Sequence, residues 1–282
     1  MTKVQFRNED CFKTMEKFIE KGKTVDMILT SPPYNTARKV KTQKALDTHN
    51  NRYDDYNDNM SDEEYCDWTV KLFNTFDKVL VKNGVILYNL SYGSENPNVM
   101  WMALGDILRK TNFMIADTII WKKRSALPNN VSPNKLTRIT EFVFVICRED
   151  EFATFNANKK ITKYGGKLGT QPYYENVFNF IEAPNNDGSC SINKATYSSE
   201  LCEKLLNIYA NDKSVVYDPF MGTGTTAIAC LKFNEKSNDM VCIGSEISEK
   251  QVVFSCERAN DFVNENNLEG AAKVSCTTKK ES

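Results

Sequence analysis

Val25-Asp26-Met27-Ile28-Leu29-Thr30-Ser31-Pro32-Pro33-Tyr34-Asn35 decides how the chain is read. Val25, Ile28 and Leu29 suit a buried strand interior, and the two prolines end that strand because neither can donate to a ladder. Pro32 and Pro33 fix two consecutive φ angles and push the residue before each out of the α region. A strand over 25–30 therefore runs into a rigid corner. Such a corner can turn a hydroxyl, two carbonyls and an aromatic face toward one guest. Taken alone it reads first as an ordinary turn closed by a packed tyrosine. A second stretch far down the chain changes that reading.

Val215-Val216-Tyr217-Asp218-Pro219-Phe220-Met221-Gly222-Thr223-Gly224-Thr225-Thr226-Ala227 is a strand, a glycine-rich turn and a helix start. Gly222 and Gly224 let a ligand approach the backbone closely, and the helix that follows offers free N–H groups. Gly222-x-Gly224-x-x-Ala227 formally satisfies a dinucleotide fingerprint, and Glu246 ends the next strand where a ribose-binding acid belongs. Asp218-Pro219-Phe220 sets an acid and a proline-fixed turn before the first glycine. An acid there repels a pyrophosphate but attracts an ammonium. Three readings stand open on these residues: a structural turn, a nicotinamide-dinucleotide site, and a cofactor that joins an amino acid to a nucleoside.

The chain around these two stretches alternates strands and helices. Strands are expected over 3–7, 25–30, 85–90, 114–121, 140–148, 214–218 and 240–246. Helices are expected over 12–20, from Ser61 in the capping pattern Ser61-x-x-Glu64, and over 97–110, 201–209, 225–233 and 249–263. The helix over 12–20 would carry Phe12, Met15, Phe18 and Ile19 on one stripe, capped by Asp10 unless that carboxylate points into a cleft instead. Asn83-Gly84 reads as a turn into the strand at 85. Residues 36–60 are polar and read as one long loop, of the length that serves lids and binding segments. Strands separated by helices predict an α/β fold with a mainly parallel sheet covered on both faces.

The 282 residues suffice for one large core or two modest ones, and 41% hydrophobic with 26% charged is ordinary for a soluble globular protein. No apolar run reaches about eighteen residues, so no membrane-spanning helix is expected, and the N-terminus shows no apolar signal segment. Nine cysteines form no Cys-x-x-Cys pair, and with one histidine they offer little to zinc; no metal site is expected. They read as buried thiols of a reducing, cytoplasmic compartment rather than as disulfides. The net charge of −1 gives no global pull toward a polyanion, but residues 122–169 carry ten Lys or Arg against four Asp or Glu. Arg38, Lys39, Lys41 and Lys44 form a second basic run directly after the Pro-Pro corner.

Together, Ser31-Pro32-Pro33-Tyr34 and Phe220-Met221-Gly222-Thr223-Gly224, in that order and nearly 190 residues apart, resemble a known family. It is the beta class of DNA amino-methyltransferases that use S-adenosylmethionine, in which the (D/N/S)-PP-(Y/F) motif precedes the FxGxG motif. The resemblance covers roughly 3–263 and implies a Rossmann-like methyltransferase fold with a circularly permuted, mostly parallel sheet. It implies a catalytic half over 1–148 and a cofactor-binding half over 193–266; between them the mixed texture of 149–192 reads as a target-recognition insertion or a set of loops, and 267–282 reads as a flexible tail.

Carried over residue by residue, Ser31, Pro32, Pro33 and Tyr34 would be catalytic. Asp10, Thr30, Thr196, Asp218, Pro219, Phe220, Gly222, Gly224, Thr225 and Glu246 would hold S-adenosylmethionine, Asp10 by the adenine amino group and Glu246 by the ribose hydroxyls. Trp121 and Lys122 resemble a Trp-x-Lys element, and Glu141 the acid of the next strand. Where the family often has a His-Pro segment this chain has Asn193-Lys194-Ala195-Thr196-Tyr197-Ser198, without either.

The resemblance implies double-stranded DNA as substrate. Asn35, Arg38, Lys39, Lys41, Lys122, Lys123, Arg124, Lys135, Arg138, Lys159, Lys160 and Lys163 are the candidate DNA contacts. A second copy of the chain to wrap DNA, and a cognate restriction endonuclease acting on the same site, are the further partners it implies. An exocyclic amine is a poor nucleophile because its lone pair is delocalised into the ring. Acceptors at its two N–H bonds, here the Ser31 hydroxyl and the Pro32 carbonyl, free that lone pair for attack on a sulfonium methyl aligned in line. The base must leave the stack to be reached, and Tyr34 would stack on it. The family's cytosine-N4 members favour serine at the first motif position, so Ser31 points to cytosine N4, with adenine N6 as the alternative. No Pro-Cys dipeptide of the cytosine-C5 enzymes is present. A non-catalytic DNA-binding module is the non-enzymatic alternative, and a nicotinamide-dependent oxidoreductase gives Ser31-Pro32-Pro33-Tyr34 no role.

Overall fold

A computed structural model describes residues 1–35, 60–92, 96–125, 133–155, 157–188, 197–233 and 239–278. Among them a nine-stranded sheet forms the centre of an α/β fold. Its strands are β1 (Thr2–Asn8), β2 (Val25–Thr30), β3 (Leu80–Leu90), β4 (Phe113–Lys123), β5 (Thr140–Arg148), β8 (Phe180–Ala183), β9 (Val215–Asp218), β10 (Val241–Glu246) and β11 (Ala272–Thr277). They lie in the order β11-β1-β10-β9-β2-β3-β5-β4-β8. Every neighbouring pair is parallel except the two made by β5, which runs against both β3 and β4.

Side chains on successive strand residues go to opposite faces, and both faces are covered. Met27 and Leu29 of β2, Val85 and Leu87 of β3, and Val143 and Val145 of β5 pack under α4 (Ser199–Tyr209), α5 (Thr225–Phe233) and α6 (Glu249–Glu265). Their neighbours Ile28, Ile86 and Ile146 pack under α1 (Cys11–Glu20), α2 (Asp62–Val79) and α3 (Val99–Lys110). α5 is buried on nearly every side and carries only one charge, Lys232, as a helix enclosed by protein must. α2 opens with the expected capping box: Ser61 Oγ accepts from Glu64 N at 3.2 Å, and the Glu64 carboxylate accepts from Ser61 N at 2.8 Å. Among the described residues no helix is long and apolar enough to cross a membrane.

Four expectations need correction. The Asn83-Gly84 turn does not begin β3 but lies inside it. Val25 faces Leu80 and Met27 faces Val85, so the strand is looped out around Asn83, whose φ is 58°. Residues 149–192 are not a separate insertion throughout: β6 (Ile161–Gly165) and β7 (Gln171–Tyr174) form their own hairpin, but β8 joins the main sheet beside β4. The chain from 267 is not all flexible tail, because β11 pairs along β1 from Thr2↔Ala272 to Arg7↔Thr277. Cys256 of α6 and Cys276 of β11 are joined in a disulfide, against the expectation of free thiols throughout; Cys11, Cys66, Cys147, Cys202, Cys230 and Cys242 are free and buried.

Candidate active site

The two motifs meet because β2 and β9 are parallel neighbours, with Met27 opposite Val216 and Ile28 opposite Tyr217. Adjacent strands lie roughly 4.8 Å apart, so both chains leave the sheet at the same edge. There the Thr30 hydroxyl donates to Asp218 Oδ1 at 2.7 Å. Ser31 follows at once on one side and the glycine turn on the other. Glu246 ends β10, the strand next to β9, and Asn89 lies near the end of β3, the strand next to β2. Ligands of open parallel sheets sit in this crevice beyond the carboxyl ends.

The glycine turn is built for close approach. Gly222 and Gly224 have φ of 51° and 82°, in the left-handed region that other residues avoid. A Cβ on Gly224 would stand 3.1 Å from the Ser255 Cβ of α6, so this glycine also lets the helix close on the turn. Ser255 Oγ donates to the Gly222 carbonyl at 2.7 Å. Glu246 is fixed by two backbone donors, Gly222 N to Oε2 at 3.0 Å and Ser248 N to Oε1 at 2.9 Å. Burial pushes its carboxyl up to about 7, and those two N–H groups oppose the shift. Thr223 Oγ1 and Ser248 Oγ are buried here without a hydrogen-bond partner among the described residues.

Asp218 is not open to an ammonium, as its position in the motif suggested. Its side chain is fully buried and taken by Thr30 and Phe220 N on Oδ1, and by Thr226 and Tyr197 on Oδ2. Burial raises its pKa, and those donors pull it back. Its role is to tie β2, β9, α5 and the segment before α4 together at the crevice. Pro219 and Thr225 are buried around it, and Phe220 lies half-exposed with its ring 5.7 Å from Trp68. Asp10 caps α1, accepting from Phe12 N through Oδ1 at 2.8 Å. Thr196 lies outside the described residues.

At the proline corner Ser31 Oγ and Tyr34 OH are 2.8 Å apart. The Tyr34 hydroxyl also reaches Asn89 Oδ1 at 3.0 Å and Glu141 Oε2 at 3.3 Å. Lys123 pairs with the other Glu141 oxygen. The lysine that the Trp-x-Lys spacing brings to the site is thus Lys123, not Lys122. The Pro33 carbonyl accepts from Tyr65 OH at 2.9 Å, whereas the Pro32 carbonyl accepts no hydrogen bond among the described residues. Pro32 and Pro33 are buried, which holds the corner rigid. Asn35 was expected on DNA, but it is buried and both ends of its amide are engaged by Met60: Nδ2 donates to Met60 O and Oδ1 accepts from Met60 N, each at 2.9 Å. It ties residue 35 to residue 60.

The basic candidates divide. Arg38, Lys39, Lys41 and Lys44 lie outside the described residues. Lys122 pairs with Glu182 at 2.6 Å, and Arg124 forms two bonds to Glu200 at 2.7 and 2.9 Å. Arg138 lies over the Tyr92 ring, and Lys163 over the Tyr173 ring across the β6–β7 hairpin. Lys135, Lys159 and Lys160 are exposed. Sequence reasoning missed Asn89, Tyr65, Tyr197, Thr226 and Ser255. Asn89 alone left a signal, a polar residue within an otherwise apolar strand.

Known proteins resemble this chain in sequence and in fold. The orphan methyltransferase M.BamHII of Bacillus amyloliquefaciens is 24% identical over 271 residues, covering 85% of this chain and 90% of its own. The type II methyltransferase M.BglII of Bacillus subtilis is 24% identical over 263 residues, 86% of this chain and 66% of its own. Among solved structures, the cytosine-N4-specific PvuII DNA methyltransferase superposes with a TM-score of 0.65 at 17% identity, over 97% of this chain and 94% of that one. The M1.HpyAVI–SAM complex does so at 0.57 and 21%, over 91% and 99%. The fold is therefore theirs. The family model described as DNA methylase, for the N6/N4 enzymes, matches residues 25–255, from the strand that presents Ser31 to the helix that closes on the glycine turn, and this chain is a member of that family.

Proposed function

We propose that this DNA methylase transfers the methyl group of S-adenosylmethionine to the exocyclic N4 of a cytosine flipped out of double-stranded DNA. The observation that carries the reading is the Thr30–Asp218 hydrogen bond, which sets the proline corner and the glycine turn side by side. S-adenosylmethionine, when bound, supplies a methyl on a positively charged sulfur. The residues at the turn suit such a molecule. Glu246 keeps acceptor capacity for ribose hydroxyls, Gly222 leaves its surface bare, and Phe220 offers an apolar face. Asp10 can still meet an adenine amino group through the oxygen that does not cap α1. No acid of the turn is open to the methionine ammonium, so that group falls to backbone carbonyls.

The base has two N–H bonds on its amine, and the corner has two acceptors, Ser31 Oγ and Pro32 O. Drawing both bonds away from the ring plane localises the nitrogen lone pair. Tyr34 covers the ring face, worth roughly 1–3 kcal/mol per stacked base. We assign Lys135, Arg138, Lys159, Lys160 and Lys163 to phosphates and the β6–β7 hairpin to base reading. Ser31, an uncharged hydroxyl where an acid or amide is the alternative, favours cytosine N4 over adenine N6. A second copy of the chain and an endonuclease acting on the same sequence are partners consistent with this reading.

Incubation of plasmid DNA with the protein and labelled S-adenosylmethionine, followed by nucleoside analysis and modification-sensitive sequencing, tests it. N4-methylcytosine within one sequence is the expected product. N6-methyladenine in its place transfers the assignment to the other base. Bound cofactor and bound DNA without any methylated nucleoside leave a DNA-binding module and overturn the proposal.

A further inference from the structure

We infer that the Tyr34 hydroxyl is a positioning group that fixes the direction of the Ser31 hydroxyl, so that Ser31 can only accept from the guest amine. The inference rests on the methyl-transfer reading above and assigns Tyr34 a role that a stacking ring does not need.

Among the described residues three oxygens surround the Tyr34 hydroxyl: Ser31 Oγ at 2.8 Å, Asn89 Oδ1 at 3.0 Å and Glu141 Oε2 at 3.3 Å. Asn89 cannot turn its amide round, because Nδ2 donates to the Phe142 carbonyl at 3.1 Å and leaves Oδ1 toward Tyr34. Glu141 is a carboxylate held from its far side by Lys123. Neither oxygen has a hydrogen to give, and an ionised carboxylate and an amide oxygen are acceptors only. The single phenolic hydrogen therefore points to their side. Of the three neighbours only Ser31 carries a hydrogen of its own, so the contact between Ser31 and Tyr34 is made by the serine donating. What Ser31 then shows the crevice is lone pairs.

That direction matters for the chemistry. A serine hydroxyl free to rotate has a second choice, to donate to the amine nitrogen, and this ties up the lone pair that has to attack. The Tyr34 network removes that choice before the base arrives. It is assembled from β3, β4 and β5, whose ends lie beside the proline corner, so the lock is built into the sheet rather than into the motif.

Tyr34→Phe separates the hydroxyl from the ring. With the ring kept, KM for plasmid DNA and the affinity for S-adenosylmethionine measured by calorimetry should stay within about twofold, while kcat falls about tenfold or more, the scale of one mis-set hydrogen bond. In a Ser31→Ala background the same change should cost nothing further, since no hydroxyl is left to orient. Wild-type kcat in Tyr34→Phe, or an equal loss in both backgrounds, overturns the inference while the methyl-transfer reading stands. A wild-type protein that transfers no methyl to DNA overturns that reading and this one with it.

Discussion

Glu246 carries two demands that pull its proton in opposite directions. Burial holds its carboxyl near 7, above the 4.5 of an exposed glutamate, so the folded chain keeps a proton that the unfolded chain has lost between those values. Its contribution to stability is thus fully present below about 4.5 and is lost as pH rises through about 7. If ribose hydroxyls donate to this carboxylate, as proposed above, they favour its ionised form and cofactor binding expels the proton. The affinity for S-adenosylmethionine should then weaken as pH falls below about 7, by up to about tenfold per unit, and Glu246→Gln should bind more weakly but without that slope. A flat wild-type titration by calorimetry removes the assignment. Asp218 is the structural counterpart. Its four donors all need an acceptor, and Asp218→Asn replaces one carboxylate oxygen with a donating amide nitrogen. The substitution should cost about 1–3 kcal/mol, read as a lowered melting temperature in the absence of any ligand.

At the scale of the elements, burial decided which ones could be read from sequence. α5 and β5 have the extents expected of them, Thr225–Phe233 and Thr140–Arg148, because each is an apolar run enclosed by the core. β11 went unread. Only Ala272 is buried in a strand that also carries Lys273, Ser275 and Thr277, and its place depends on β1, which lies almost the whole chain away. β8 was hidden in the same way, with Ile181 and Ala183 inward but Phe180 and Glu182 exposed. Cys256 and Cys276, 20 residues apart, then fasten β11 to α6. Closing a loop of that length is worth about 3 kcal/mol in the chain-entropy account. Cys276→Ser should accordingly lower the midpoint of denaturant unfolding measured under oxidising conditions and leave it unchanged under reducing ones. Equal midpoints for the two proteins under oxidising conditions count against the bond's contribution. α6 also carries Ser255 against the glycine turn, so a loss of cofactor affinity on reduction would report how far that tie reaches.

The whole site is a row of strand ends brought together by sheet order, and this explains what the sequence left unread. Ser31-Pro32-Pro33-Tyr34 and Asp218 to Gly224 are local signals, legible because prolines and glycines fix the backbone wherever they stand. Asn89, Tyr197 and the Lys123–Glu141 pair acquire meaning only once β3, β4, β5 and β9 lie in their final order. The same holds for the basic surface. Residues 122–124 read as open cations in the sequence, but in the fold Lys122 faces Glu182 and Arg124 is held by Glu200, which Lys204 also binds. A phosphate must displace those carboxylates before it can be bound there. Exposed pairs of this kind are worth about 0–1 kcal/mol, less than a DNA polyanion gains from several cations at once, so if DNA lies on this face the carboxylates should lower affinity without abolishing it. Each cation that does reach a phosphate adds about 0.9 to the slope of log affinity against log salt. Arg124→Ala should therefore reduce that slope by about one, whereas Glu200→Gln, which releases the same guanidinium, should raise affinity at low salt and leave the slope intact. Fluorescence anisotropy of a labelled duplex across a salt series reads both, and an unchanged slope in Arg124→Ala would take residues 122–124 off the DNA face.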